Sequence, residues 1–165
     1  MTDWIVGIDP GNKQSAFCIT DCALNPVRFG KTDNELMYMN LCDAFAELNC
    51  LPNNTTIAIE WVKSYGNPVG DSIFETCAWV GKLEERLKEY ETHRVIRANE
   101  KSVICHSMKA NDARIKQALI NEFAKDTPNH GKGTKKQPGF FYGFRADIWQ
   151  SFAVAYTIAK NLGVY

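Results

Sequence analysis

The chain has 165 residues, enough for one domain with a sizeable core, and its 45% hydrophobic content is ordinary for a globular protein. Nineteen Lys and Arg balance nineteen Asp and Glu, which excludes a field of one sign over the whole surface; any nucleic-acid contact must come from a local basic patch. No apolar run reaches membrane-spanning length, so no membrane partner is expected.

The first apolar run, Trp4-Ile5-Val6-Gly7-Ile8, reads as a buried strand with Asp9 at its carboxyl end, because Pro10-Gly11 stops the run at once. A charge at the tip of a buried parallel strand is costly unless something pairs with it, and a metal ion is the obvious partner. Residues 15–20 and 26–30 read as two further strands joined by a short turn, which predicts antiparallel hairpins. Thr32-Asp33-Asn34 offers a helix cap, and Leu36, Met39, Leu41, Phe45 and Leu48 follow at helical spacing until the break at Leu51-Pro52. That helix is a crossover to the run Thr55-Thr56-Ile57-Ala58-Ile59-Glu60, expected to lie parallel to the first strand with Glu60 level with Asp9.

Residues 61–70 have the Gly, Pro and Asn content of a loop but carry Trp61, Lys63 and Tyr65 directly after Glu60. Aromatics beside a lysine suit unpaired bases and a phosphate; equally, Trp61 and Tyr65 would serve as a roof over the core. Asp71-Ser72 caps a helix whose Ile73, Phe74, Cys77, Val80, Leu83 and Leu87 form one stripe, opposite a solvated charged face. Residues 93–97 read as a short strand, 99–102 begin a helical turn, and Asn111-Asp112 caps a helix with Ile115, Leu119 and Phe123 inward, so Asp112 reads as a cap and not as a catalytic acid. Residues 126–142, rich in Gly, Pro and Lys, predict a mobile basic loop that contacts phosphates or stays solvated. The last helix buries Ile148, Phe152, Ala155, Ile158 or Ala159, and Leu162, with Asp147 in its first turn, where the helix dipole favours a carboxylate.

The cysteines at 18, 22, 42, 50, 77 and 105 fall mostly inside apolar patterns, and Met1-Thr2-Asp3 carries no signal peptide, so reduced, buried thiols in a cytoplasm are expected. Zinc is disfavoured: there is no Cys-x-x-Cys pair, and Cys18-x-x-x-Cys22 lacks a second half with His93, His106 or His130 at ligand spacing. Asp9, Glu60 and Asp147 come from three distant segments, each where an element begins or ends. Hard divalent cations take such oxygen ligands, so the residues themselves point to a metal-dependent nuclease.

These residues resemble the RuvC-type Holliday-junction resolvases of the RNase H-like superfamily over most of the chain. Ile8-Asp9-Pro10-Gly11 is similar to the family's opening strand motif, Ile59-Glu60 to its second acidic strand, and residues 67–81 to the segment that follows. Lys109-Ala110-Asn111-Asp112-Ala113-Arg114-Ile115-Lys116-Gln117-Ala118-Leu119 resembles the lysine-bearing stretch opening the penultimate helix, above all in phage-type members. The run from Asp147 through Gln150 to Thr157 resembles the closing Asp-x-x-Asp-Ala-Leu-Ala helix, with Gln150, a neutral oxygen donor, in the second acid's place. The resemblance implies an α/β, RNase H-like fold with a five-stranded mixed sheet flanked by helices, in a single domain over 1–165. It implies a homodimeric endonuclease acting on four-way junctions or other branched DNA in the cytoplasm of a bacterium or phage-infected cell.

Catalysis is then expected from Asp9, Glu60 and Asp147, which with Gln150 would hold two Mg²⁺ about 4 Å apart, Mn²⁺ being able to substitute. Lys13, Lys63, Lys101, Lys109, Arg114 and Lys116 are the expected phosphate contacts, with Trp61 or Tyr65 in the role of the family's base-inserting aromatic. A binding-only protein on the same fold is the first rival, since Gln150 would disable catalysis. An actin-like phosphotransferase is a second, but it needs another glycine-rich nucleotide loop, and none is found.

Overall fold

β1 (Trp4–Asp9) is the middle strand of a five-stranded sheet in the order β3-β2-β1-β4-β5. It pairs antiparallel with β2 (Gln14–Asp21), which pairs antiparallel with β3 (Pro26–Asp33). On its other side it pairs parallel with β4 (Thr55–Trp61), and β4 pairs parallel with β5 (Glu91–Ile96). The helices are α1 (Asn34–Leu48), α2 (Asp71–Arg86), α3 (Arg97–Cys105), α4 (Asp112–Phe123) and α5 (Ile148–Leu162). This computed structural model describes residues 2–64, 66 and 68–165. Tyr65, one of the two aromatics expected to meet bases, and Asn67, the start of one family-like segment, lie outside the described residues.

The period of two along each strand sorts the core into two layers. Val6, Ile8, Phe17, Ile19, Ile57 and Ile59 face one side, where Met37, Leu41 and Phe45 of α1 and Trp79, Val80 and Leu83 of α2 cover them. Ile5, Ala16, Cys18, Ala58 and Val95 face the other side, under α3, α4 and α5. Asp9 and Glu60 continue the second set, so the same alternation that builds the core aims both carboxylates toward α5.

α5 is buried along almost its whole length, from Ile148 to Ala159. It lies directly on β1 because Gly7 has no side chain: a Cβ there would stand 2.0 Å from the Ser151 carbonyl oxygen and 2.6 Å from the Ala155 nitrogen. Small residues on both partners therefore set how closely the start of α5 approaches the tip of β1.

Several expectations need correction. Thr32 and Asp33 are strand residues, and Asp33 makes no side-chain cap; Leu36 and Met39 are exposed while Met37, Leu41, Ala44 and Phe45 are buried. On α2 the inward face is Thr76, Trp79, Val80 and Leu83; Trp79 claims that face by donating to Ser15 Oγ (3.0 Å), which turns Phe74 out to 61% exposure. β5 ends at Ile96, and Arg97 opens α3. Leu162 is exposed at the end of α5. The cysteines are free thiols as expected, yet Cys22 and Cys42 are exposed, and only Cys18 and Cys50 are fully buried.

The region expected to be a mobile basic loop has neither helix nor strand, as a loop should, but it is turned tightly on itself and carries buried aromatics. Gly131 and Gly133 take positive φ, which permits the tight turns closed by Phe141 N–H to the Gly131 carbonyl (3.0 Å) and Gly139 N–H to the Lys132 carbonyl (2.9 Å). Phe141 and Phe144 are fully buried and pack edge-on against Phe152 of α5. The lysines gave the segment its loop-like composition, and the aromatics anchor it. No helix among the described residues is long and apolar enough to cross a membrane.

Candidate active site

The β1–β4 register runs from Trp4 opposite Thr55 to Ile8 opposite Ile59. Carried one rung further, it sets Asp9 beside Glu60 at the carboxyl edge of the sheet. On the other side Asp9 is opposite Ala16, and Ala16 is opposite Lys31 of β3, so an acid and a lysine face α5 from one transverse line of the sheet. The start of α5 closes the site from above. Asp9, Glu60, Asp147 and Gln150 line one open cleft of about 700 Å³, together with Asp112 and the cations Arg97, Lys116, Lys132 and Arg145.

Asp147 stands just outside α5, not in its first turn. It follows Ala146, whose φ of +42° is a left-handed conformation costing about 1–2 kcal/mol for a residue with a Cβ. The carboxylate makes no helix cap; its Oδ2 accepts from Lys31 Nζ at 2.5 Å. Gln150, one turn into the helix, faces the sheet. Its Nε2 donates to Glu60 Oε2 (2.9 Å) and to Glu100 Oε2 (2.5 Å), one N–H to each. The amide oxygen in that place would face two carboxylates and be repelled, so Gln150 acts here as a donor between two acids.

Glu100 of α3 is the residue that sequence reasoning missed. It is completely buried, Arg97 Nη1 donates to its Oε2 at 2.7 Å, and its Oε1 has no hydrogen-bond partner among the described residues. The other arm of Arg97 binds Asp112 at the start of α4. The available signal was weak: an arginine three residues before a glutamate, directly after the strand that flanks Glu60.

Electrostatics in the site are strained. Burial, then the charges of Glu60 and Asp147, push the Asp9 carboxyl up to about 8, so it keeps its proton at neutral pH and shares it with Glu60. Burial also raises Glu60, opposed by Arg97 and by the Gln150 amide. Burial and Glu60 bring Glu100 up to about 7. A hard divalent cation suits the cleft's carboxylates, because it would replace the proton held on Asp9. Among the described residues, however, no three His, Cys, Asp or Glu side chains are gathered into a group that holds a metal as they stand, since Asp147 is turned to Lys31.

The remaining expected contacts are scattered. Lys116 lines the cleft, its ammonium 4.7 Å from the Trp149 ring. Arg114 lines a separate hollow with Ile104 and Ser107. Lys13, Lys63 and Lys109 are exposed and Lys101 is half-buried, none of them on the cleft wall. Trp61 packs against the core, with the Arg94 guanidinium 3.9 Å over its ring.

No family model and no curated protein sequence matches the chain. Solved structures do. The Thermus thermophilus RuvC structure superposes with a TM-score of 0.68 at 10% identity, covering 98% of this chain and 97% of that one. The same organism's RuvC in complex with a Holliday junction substrate gives 0.69 at 11% identity, with 98% and 96% covered. The fold is RuvC-like. An RNase H-like architecture is thereby shown over 98% of the chain with almost no shared sequence, so the RuvC-like fold rests on layering and strand order.

Proposed function

We propose that this chain is a structure-selective endonuclease that cleaves four-way junctions or other branched DNA by metal-dependent phosphodiester hydrolysis, working as a homodimer in the cytoplasm. The observation that carries it is the convergence of Asp9, Glu60, Asp147 and Gln150, from three distant segments, on one cleft that also holds Arg97 and Lys116. A RuvC of the same fold is known in complex with a Holliday junction substrate, which supports branched DNA as the partner class. The lysine-bearing stretch at 109–119 is the ground for a phage-type member.

Asp9, Glu60 and Asp147 would hold Mg²⁺, or Mn²⁺ in its place; when bound it supplies an activated water and neutralises charge on the departing oxygen. The chain's own part is positional. β1 and β4 fix Asp9 and Glu60 side by side, Gln150 orients Glu60 through its amide, and Asp147 must leave Lys31 to join them. Lys116 would receive the phosphate at the cleft, while Lys13, Lys63, Lys101, Lys109 and Arg114 would extend contact to outlying phosphates and fix register without reading sequence. Of the two aromatics expected beside unpaired bases, Tyr65 is proposed for that role, since the Trp61 ring is held between the core and Arg94.

The test is incubation with labelled four-way junction, forked duplex, RNA–DNA hybrid and plain duplex in Mg²⁺ and in Mn²⁺. Cleavage confined to the branched substrates and lost in Asp9→Asn and Glu60→Gln is expected. Retained cleavage in both variants overturns the metal-site reading. A binding-only protein is the second reading, favoured by the Gln150 nitrogen facing Glu60 and by the Lys31–Asp147 pair; cleavage gained only in Gln150→Asp would decide for it.

A further inference from the structure

Beside the cleft lies a second hollow of about 630 Å³, and Lys132 and Arg145 line both. Lys31 adds a third cation to its wall, and among the described residues no Asp or Glu lines it, although acids and bases are equal in number over the chain. Lys31 is joined to Asp147, so it stands where cleft and hollow meet. Among the described residues Lys132 and Arg145 make no ion pair. Tyr142, also on the wall, is 43% exposed, and its ring meets no other ring among the described residues; the packing of this segment is carried by its neighbours Phe140, Phe141 and Phe144. Gly133 and Gly143, also on the wall, have φ of +67° and +84°, where a side chain would be strained.

We propose that this hollow takes the DNA strand that leaves the cleft, with its phosphates on Lys132 and Arg145 and an unpaired base stacked on Tyr142. The naming of DNA rests on the nuclease reading above; the hollow itself rests on its own walls. A cationic groove interleaved with an exposed aromatic holds unpaired strands without regard to sequence, because every base has a face to stack. The hollow has the volume of a pocket that buries a small ligand, which suits a short stretch of one strand and not a paired arm. Its continuity with the cleft gives the strand one path from the acids outward. The segment from 126 to 146, anchored by Phe141 and Phe144, is thus the wall of a binding site.

The test is binding of fluorescently labelled single strand and four-way junction, in Ca²⁺, across a salt series. Tyr142→Ala weakens both by about tenfold or more, while Tyr142→Phe keeps the affinity. The double variant Lys132→Ala/Arg145→Ala lowers the salt slope on the single strand by about 1.4. A strand carrying 5-iododeoxyuridine cross-links to Tyr142 under light. If the wild type binds and all these variants, folded by circular dichroism, keep its affinity and salt slope, the hollow is not a strand site. Tyr142-dependent binding of single strands by a protein that neither cleaves nor prefers branched DNA sinks the nuclease reading and leaves the hollow standing. Absence of binding to any DNA sinks both.

Discussion

Gly7→Ala is the sharpest probe of how the site is assembled. The added methyl would lie 2.0 Å from the Ser151 carbonyl oxygen, 2.6 Å from the Ala155 nitrogen and 2.9 Å from the Ala155 Cβ. Two of these are backbone atoms, so no rotamer change relieves the clash, and since non-bonded carbons settle near about 3.5 Å, α5 must retreat from β1 by more than about 1 Å. Overpacking of this kind costs about 1–3 kcal/mol, and backbone neighbours put it at the upper end. For a chain of this length about 3 kcal/mol lowers Tm by about 6–12 °C. The retreat also carries Asp147 and Gln150 away from Asp9 and Glu60, and a misplacement of about 1 Å costs roughly 100-fold in rate. Thermal unfolding by circular dichroism reads the first effect; cleavage of branched DNA well below both melting temperatures reads the second. Adding Ala155→Gly restores little, because the Ser151 carbonyl is the nearer obstacle. A Gly7→Ala protein that melts within about 1 °C of wild type and cleaves at its rate would refute the argument.

The remaining predictions concern charge and packing. Because the folded Asp9 carboxyl is raised from 3.8 to about 8, its stabilising contribution is complete below about pH 4 and is lost as pH rises toward and through 8. The metal-free protein therefore melts lower at pH 8.5 than at pH 6 and gains more from Mg²⁺ at the higher pH, and Asp9→Asn flattens both trends in a thermal-shift series. Gln150→Asp removes the only donor between Glu60 and Glu100 among the described residues and adds a carboxylate, costing about 1–3 kcal/mol without metal and increasing the Mg²⁺ response; an unchanged melting curve with and without Mg²⁺ would contradict this. Phe141→Ala, at the centre of the aromatic cluster, costs about 3–5 kcal/mol by urea unfolding and exposes residues 126–146 to protease first. Lys31→Ala changes stability by less than about 1 kcal/mol, since the side chains of its pair with Asp147 are 37% and 47% exposed.

The sheet was legible because strand chemistry is local. Gly7-Ile8-Asp9-Pro10-Gly11 and Ile59-Glu60 announce two buried strands that end in acids, and the parallel register follows from the helical crossover between them. α5 was legible from its unbroken small and apolar run. Glu100 was not, because an isolated glutamate in a short helix has the look of a solvated residue until β5 and α5 are folded around it. Arg97 read as the end of a strand for the same reason: its role as a clamp exists only once α3 and α4 meet. Phe74 failed in the opposite sense, for helical spacing identifies a stripe but not which of two adjacent stripes Trp79 will bury. In 126–142 lysine and glycine content outweighed Phe141, which with Phe144 just beyond anchors the segment on α5.

Arg97 adds a polar link between two helices that already share a core. One arm of its guanidinium grips the hidden acid of α3 and the other the first residue of α4, the helix that carries Lys116. The two helices are thus pinned at their N-termini, the ends that face the cleft, and the position of Lys116 relative to the acids is set by one planar cation.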